Sequence, residues 1–394
     1  MRKGRLHTWF CILVLVLAIV WRMIGAPVNV KEFQDLQTPF WQARILLPSR
    51  LQRVLLQWIP VHLSELFEKE KTEVSLVNAD DGKEPVWVNV FLAEENRVVK
   101  MTMAGYVCGV VAAEMPAAYH MEALKAQAVA ARTRVMKQMM QDGCSAHEGA
   151  DICTDSTHCQ AYASPASCRE RWGDSYTVYR DRVLAAEEQT RNCWLSYQKQ
   201  PITVVYHAIS GGRTENAQTV FSQALPYLVS VESRGEEQAA GFRQDAAYTF
   251  EEMAEKLSGL LGTVEPQDIR RTFSVGSYTE TGRVHTVQIA GREVEATVLR
   301  ALLGLRSTWF SLSCDEKGIT FHQQGYGHGV GMSQAGANAM AGNGRSFEDI
   351  LLHYFPGVTI ENEMNEIFLQ RTGYLRRDDN AAKQPVLAET QEAL

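Results

Sequence analysis

Three groups of residues in this 394-residue chain are of types that do chemistry. The first is a single acid, Glu114, two positions before Pro116. A residue that precedes proline is pushed out of the α region. Met115 must therefore end any helix that carries Glu114, which leaves the carboxyl at a helix end where it can face a cleft. Taken alone, such a glutamate is most simply a solvated side chain. The second group is the loop containing Cys144, His147, Cys153, His158, Cys159 and Cys168. Thiols and imidazoles this close together either pair as disulfides, if the chain is exported, or bind a metal. The third is 325–337, where glycine recurs at every second position from Gly325 to Gly331. Alternating glycines strip one side of an extended segment, so a ligand or another backbone can lie against it. His328, Ser333 and Gln334 would be polar groups presented there. The spacing is not that of the dinucleotide-binding fingerprint.

Elements must position these groups. An apolar helix leads into Glu114, and an Ala-rich helix is expected from near Met121 to about Met140. Val86–Leu92 and Arg97–Met101 alternate as two strands ahead of them. Residues 141–175 read as a loop and Ala185–Cys193 as a helix. Thr203–Ala208 reads as a strand running into the sharp turn Ser210-Gly211-Gly212, where backbone must come close to something. Thr249 with Glu252 forms a capping box for a helix to about Leu261. Val284–Ile289 and Glu293-Val294 form a hairpin around Ala290-Gly291, and a helix over Ala296–Leu303 ends at Gly304. Strands follow at Thr308–Leu312 and Gly318–His322. Ser346 caps a helix that Pro356 stops. The expected fold class is α+β: several small antiparallel sheets with helices around an elongated substrate cleft, preceded by an N-terminal membrane anchor.

The ends set the organisation. A basic segment, 1–7, precedes an uncharged run from Thr8 to Trp21, extended by apolar residues to Ala26. This reads as a transmembrane signal anchor over 8–26, positive end in the cytoplasm and the rest outside. No small-residue cleavage site is evident, which favours an anchor over a cleaved signal. Residues 27–84 form a juxtamembrane spacer, 85–374 one extracytoplasmic catalytic domain, and 375–394 a charged, disordered tail. With 39 basic and 46 acidic residues the net charge is -7, which argues against nucleic acid as a partner.

Three blocks resemble the stage II sporulation protein D family of cell-wall lytic transglycosylases. They are Val111–Pro116 with Glu122–Thr133, then Ser210–Glu215, then Gly327–Ala337, and Leu303–Phe310 also fits. Arg134 departs from the pattern, since an aromatic is expected there. The resemblance implies that Glu114 is the catalytic acid of a membrane-anchored enzyme that cleaves the MurNAc-GlcNAc bond of peptidoglycan glycan strands, denuded of stem peptides, and leaves 1,6-anhydro-MurNAc. One glutamate suffices, because the 6-hydroxyl of the muramyl sugar replaces the attacking water. Such a glutamate needs a raised pKa, which burial among Val110, Val111, Ala112 and Met115 would supply. Lys125, Arg132, Ser210, Thr214, His328 and Gln334 become candidates for sugar binding; for Lys125 and Arg132, ion pairs that hold the helix are an equal alternative. Some members carry one structural zinc in an H-x5-C-x4-H-C pattern, here His147, Cys153, His158 and Cys159, with disulfides among Cys144, Cys153, Cys159 and Cys168 as the alternative. The implied setting is engulfment during sporulation, with a wall amidase (stage II sporulation protein P) as partner. The same domain occurs in amidase enhancers, so a non-catalytic glycan- or amidase-binding module is the second reading.

Overall fold

A computed structural model describes residues 86–363. The anchor over 8–26, the spacer to 84 and the tail over 375–394 lie outside the described residues. Within them, no helix is long and apolar enough to cross a membrane.

The chain opens with strands β1 (Trp87–Leu92) and β2 (Arg97–Thr102), paired antiparallel from Trp87 opposite Thr102 to Leu92 opposite Arg97. Helix α1 (Met103–Glu114) follows at once. The Thr102 side chain caps it by accepting from Gly105 N–H. At the other end Met115 is extended, φ -119 and ψ 142, as its place before Pro116 requires. Helix α2 (Met121–Met140) is nearly enclosed, with Ala123, Ala126, Ala128, Ala130 and Ala131 all buried. Alanine loses no rotamer freedom in a helix and lets neighbours approach on every side. Strand β3 (Ile152–Cys153) returns to the first sheet parallel to β1, placing Cys153 beside Phe91.

The expected loop over 141–175 contains a helix, α3 (Pro165–Trp172). Its start signal is in the sequence: Ser164 accepts from Ser167 N–H and Pro165 occupies the first turn. Helix α4 (Tyr176–Glu188) begins well before the expected Ala185 and ends before Cys193. Strands β4 (Trp194–Tyr197) and β5 (Gln200–Pro201) come next, then β6 (Tyr206–His207), a much shorter strand than Thr203–Ala208. A short helix, α5 (Ala217–Phe221), closes this half.

A second core is built from 243 to 324. It contains β7 (Arg243–Thr249), α6 (Phe250–Leu261), α7 (Pro266–Thr272), β8 (Ser274–Tyr278), the hairpin β9 (Val284–Ile289) and β10 (Arg292–Glu295), α8 (Ala296–Leu303), β11 (Phe310–Cys314) and β12 (Gly318–Gln324). The Thr249/Glu252 capping box is formed, and Gly304 ends α8 in the left-handed conformation. Two three-stranded antiparallel sheets, β10-β9-β8 and β11-β12-β7, enclose Phe321, Leu299, Val287 and Met253. The chain then returns through β13 (Met332–Ser333), α9 (Gln334–Gly342), α10 (Phe347–Tyr354) and β14 (Thr359–Glu361), which pairs with β4. β13 runs parallel to β6, with Met332 opposite Tyr206 and Ser333 opposite His207. The architecture is α+β with small sheets, mostly antiparallel, and with parallel pairings at β1–β3 and β6–β13.

Buried Arg283 joins the two cores. Its Nη2 donates to Ser210 O at 2.7 Å, and its guanidinium lies over the Trp309 ring. Without those partners a buried guanidinium would be untenable.

Candidate active site

Glu114 is half-buried at the last turn of α1. Its Oε1 accepts from Ala161 N–H at 3.0 Å, and its Oε2 faces Gln334 Nε2 at 3.4 Å. Gln334 opens α9, just after the capping residue Ser333, and its amide also reaches Gln127 Oε1 on α2 at 3.4 Å. Tyr206 on β6 donates its hydroxyl to Gln160 Oε1 at 2.9 Å. Arg134 on α2 donates to Val204 O and His158 O, each at 3.1 Å. The pocket thus takes residues from α1, α2, β6, α9 and the Cys159-Gln160-Ala161 stretch.

Burial pushes the Glu114 carboxyl above its ordinary pKa. Ala161 N–H, the Gln334 amide, the Tyr206 hydroxyl and the Arg134 charge all pull the other way, and burial prevails. Two fully buried amide nitrogens, Gln127 Nε2 and Gln160 Nε2, have no hydrogen-bond partner among the described residues. Unsatisfied buried polar atoms are uncommon, and Glu187 Oε2, His207 Nε2 and Arg306 Nε are the others among the described residues. Two surface depressions, 380 Å³ and 390 Å³, are lined by Glu237 to Arg243 and by Arg213, Asn216, Ser230, Glu280 and Thr281. Neither is lined by Glu114, and the chemistry favours the Glu114 site.

A second carboxylate organises the Ser-Gly-Gly turn. Glu236, 1% exposed, accepts from Ser210 Oγ at 2.5 Å, Gly212 N–H at 2.6 Å, Ser333 Oγ at 2.5 Å, Ser233 Oγ at 3.1 Å and Ser210 N–H at 3.3 Å. The glycine-rich segment lies against this turn and β6. A Cβ on Gly331 would sit 2.2 Å from Val205 O, and one on Gly327 2.6 Å from the His207 Cβ. The glycines of the segment therefore admit the backbone of 205 and 209–211, the His207 side chain and, at Gly329, the Arg283 guanidinium.

In the Cys/His loop, Cys144, Cys153, His158 and Cys159 bring one donor atom each to within 4.8 Å of one another. His158 Nδ1 lies 3.6, 3.5 and 3.2 Å from the sulfurs of Cys144, Cys153 and Cys159. Three sulfurs and an imidazole are a donor set that zinc takes. His147 stands outside this group, stacked on Phe91 with ring centroids 3.6 Å apart. The Cys144 and Cys159 sulfurs are 4.0 Å apart and unbonded, and Cys168 packs elsewhere, with Ala112 and Ala163.

Comparison with known proteins decides the family. The chain matches the family described as Stage II sporulation protein over residues 93–197, and a domain of unknown function over 168–331. It is 34% identical over 298 residues to stage II sporulation protein D of Bacillus subtilis, covering 74% of this chain and 85% of the relative. The chain belongs to the stage II sporulation protein D family. The counterpart in Bacillus amyloliquefaciens is 35% identical over 70% of this chain and 79% of its own length. An amidase enhancer of Bacillus subtilis is 27% identical over 64% of this chain and 40% of its own length.

The residues that the stage II sporulation protein D pattern brings forward divide sharply in space. Glu114 and Gln334 meet. Lys125 pairs with Glu122 at 2.7 Å and lies over the Phe347 ring. Arg132, 1% exposed, pairs with Glu187 at 2.9 Å and donates to Thr190 O and Cys193 O. The Arg132 contacts fasten α2 to its neighbours, the ion-pair alternative, whereas the Lys125 ion pair lies within α2 and only its contact with Phe347 reaches outside the helix. Thr214 is buried and exchanges hydrogen bonds with Val231, and Ser210 is held by Glu236. His328 Nδ1 accepts from Val330 N–H at 3.1 Å and Nε2 lies 3.1 Å from Tyr206 O, so both ring nitrogens serve the backbone. Burial lowers its pKa to about 4, so the ring is neutral. Tyr206, Gln127, Gln160 and Glu236 were missed. No local signal marks them, because each acts through partners far away in the chain. Arg134 was visible only as a departure from the family pattern.

Proposed function

We propose that the protein is a lytic transglycosylase that cleaves the MurNAc-GlcNAc bond of denuded peptidoglycan glycan strands and leaves 1,6-anhydro-MurNAc ends. One observation carries this reading: a half-buried carboxyl with a raised pKa whose neighbours are amides, a phenol and a guanidinium. Hydrolytic glycosidases need two carboxylates flanking the bond. Here the protonated form of Glu114, which burial favours, gives its proton to the glycosidic oxygen. The carboxylate left behind accepts the proton of the sugar 6-hydroxyl as that oxygen closes the anhydro ring. Ala161 N–H and the Gln334 amide fix the carboxyl for both steps, and Arg134 and Tyr206 stabilise its ionised interval.

The Cys/His loop would hold one structural zinc through Cys153, His158 and Cys159 with a fourth donor from the same loop. A closed four-ligand shell leaves no position for a reacting water. The ion's part would be to brace the backbone that leads into Gln160 and Ala161. In the same reading, the 8–26 segment anchors the enzyme in the membrane with the domain outside, acting in engulfment beside a wall amidase of the stage II sporulation protein P type.

The test is a digest of glycan strands freed of stem peptides, analysed for anhydro-muramyl ends. Ordinary reducing ends would mean hydrolysis and overturn the mechanism. The similarity to an amidase enhancer supports a second reading, a binder without cleavage. Retention on glycan with no new ends, together with faster cutting by an added amidase, would favour it.

A further inference from the structure

We propose that Cys144, and not His147, completes the metal site of this chain, giving three thiolates and one imidazole. The proposal rests on the reading that the loop holds zinc. Tetrahedral zinc with Zn–S near 2.3 Å and Zn–N near 2.0–2.1 Å demands S···N edges of about 3.5 Å and S···S edges of about 3.8 Å. The three S···N separations, 3.6, 3.5 and 3.2 Å, and the Cys144–Cys159 separation of 4.0 Å sit around those values. All three sulfurs face the same imidazole nitrogen, Nδ1. The other, Nε2, lies 3.2 Å from Ser145 Oγ. An outer partner of that kind sets the tautomer and orients a ligating histidine.

The backbone holds this arrangement from both sides. Cys144 N–H donates to Ala150 O, His147 N–H to Cys144 O, and Ala150 N–H to His147 O, closing 144–150 on itself. Cys153 is fixed in β3 beside Phe91. His147 is spent on that same Phe91, in a stack inclined by 11°, and meets His158 edge-on at 6.4 Å between centroids. To bind, it would have to leave the stack and displace a sulfur already at ligand distance. The site also abuts the acid. Cys159 is followed by Gln160, which holds the Tyr206 hydroxyl, and by Ala161, whose N–H holds Glu114. His158 O accepts from Arg134.

The test uses the full-length protein, reduced and loaded with one equivalent of zinc or cobalt. X-ray absorption of the zinc form should show three sulfurs and one nitrogen. Cys144→Ser should remove one sulfur and about a third of the cobalt–thiolate charge-transfer intensity, one thiolate of three. Its affinity for zinc should fall by more than the about 10–100-fold typical of losing an outer partner, and His147→Ala should lose no more than that. A wild-type shell of two sulfurs and two nitrogens would overturn this proposal and leave zinc binding intact. So would an intact shell in Cys144→Ser with a ligand lost in His147→Ala. Failure of the reduced wild type to bind zinc at all would overturn both.

Discussion

Two acids of this molecule, Glu114 and Glu236, sit in opposite circumstances. Glu236 is almost fully enclosed and accepts five hydrogen bonds from two backbone N–H groups and three serine hydroxyls, several of them short. Glu114 is half-buried and accepts one good bond from Ala161, with a long contact to Gln334. Hydrogen bonds to an ionised group stabilise the charged form, and burial without enough of them does the reverse. Both acids touch the start of α9: Glu236 through Ser333, Glu114 through Gln334. The satisfied acid builds the scaffold, and the under-satisfied one is left able to pick up and release a proton.

The largest effect expected from this contrast is on turnover. Glu114→Gln should lower glycan cleavage by about 10²–10⁴-fold, the range of general acid–base catalysis. Its stability should not fall. Glu114 has a folded pKa raised above the unfolded one, so the native state binds its proton more tightly and is relatively destabilised once pH exceeds both values. A neutral amide removes that burden, and thermal unfolding at neutral pH should show a midpoint equal to or above wild type. A variant that melts markedly lower would place Glu114 with the scaffold.

Glu236→Ala should behave in the opposite way. Three serine hydroxyls and two N–H groups lose their shared acceptor, a loss of roughly 2–4 kcal/mol in urea unfolding. Activity should fall mainly with the folded fraction. If unfolding is unchanged while turnover collapses, Glu236 is no scaffold acid and the contrast is lost.

Acid should also separate the two regions. His328 belongs with the scaffold and has a folded pKa depressed to about 4, against an ordinary value of 6.5. Its contribution is complete above the unfolded pKa and is lost as pH falls from about 6.5 towards 4. The loss is at most about 3 kcal/mol. His207, 5.5 Å away between ring centroids, is lowered in the same direction by burial. Equilibrium unfolding across that window should weaken steadily, and His328→Asn should flatten the slope without abolishing it. An equal slope in the variant would mean that His328 titrates no differently in the folded chain.

Much of the scaffold was legible in the sequence, because its signals are local. Proline at 116, the Thr249/Glu252 box, the Ser346 cap and Gly304 fixed helix ends from chemistry within four residues. The hairpin at Ala290-Gly291 is of the same kind. What escaped depends on distant partners. β6 pairs with β13 over more than a hundred residues, and its two residues carry no alternation to read. The glycine-rich segment showed a bared side, yet composition cannot say whether a sugar or residues 205–211 will fill it. Glu114 and Gln334 were found as members of a pattern; Tyr206 and Gln160, which no pattern marks, complete the same pocket.

Arg134 gives the finest test of the contrast. Its guanidinium is held by two carbonyls, and its charge acts on Glu114. A cation favours the ionised carboxylate, so its loss should raise the Glu114 pKa further. Protonated Glu114 starts the reaction, so its pKa sets the alkaline limb of the activity profile. Arg134→Met should therefore move that limb to higher pH, by up to about one unit. High salt should move the wild-type limb the same way, since screening acts within about 3 Å at 1 M, and should move the variant less. A limb that stays put in Arg134→Met, or shifts to lower pH, would show that burial and the neighbouring hydrogen bonds set the acid without Arg134, which would then serve only to tie Val204 to His158.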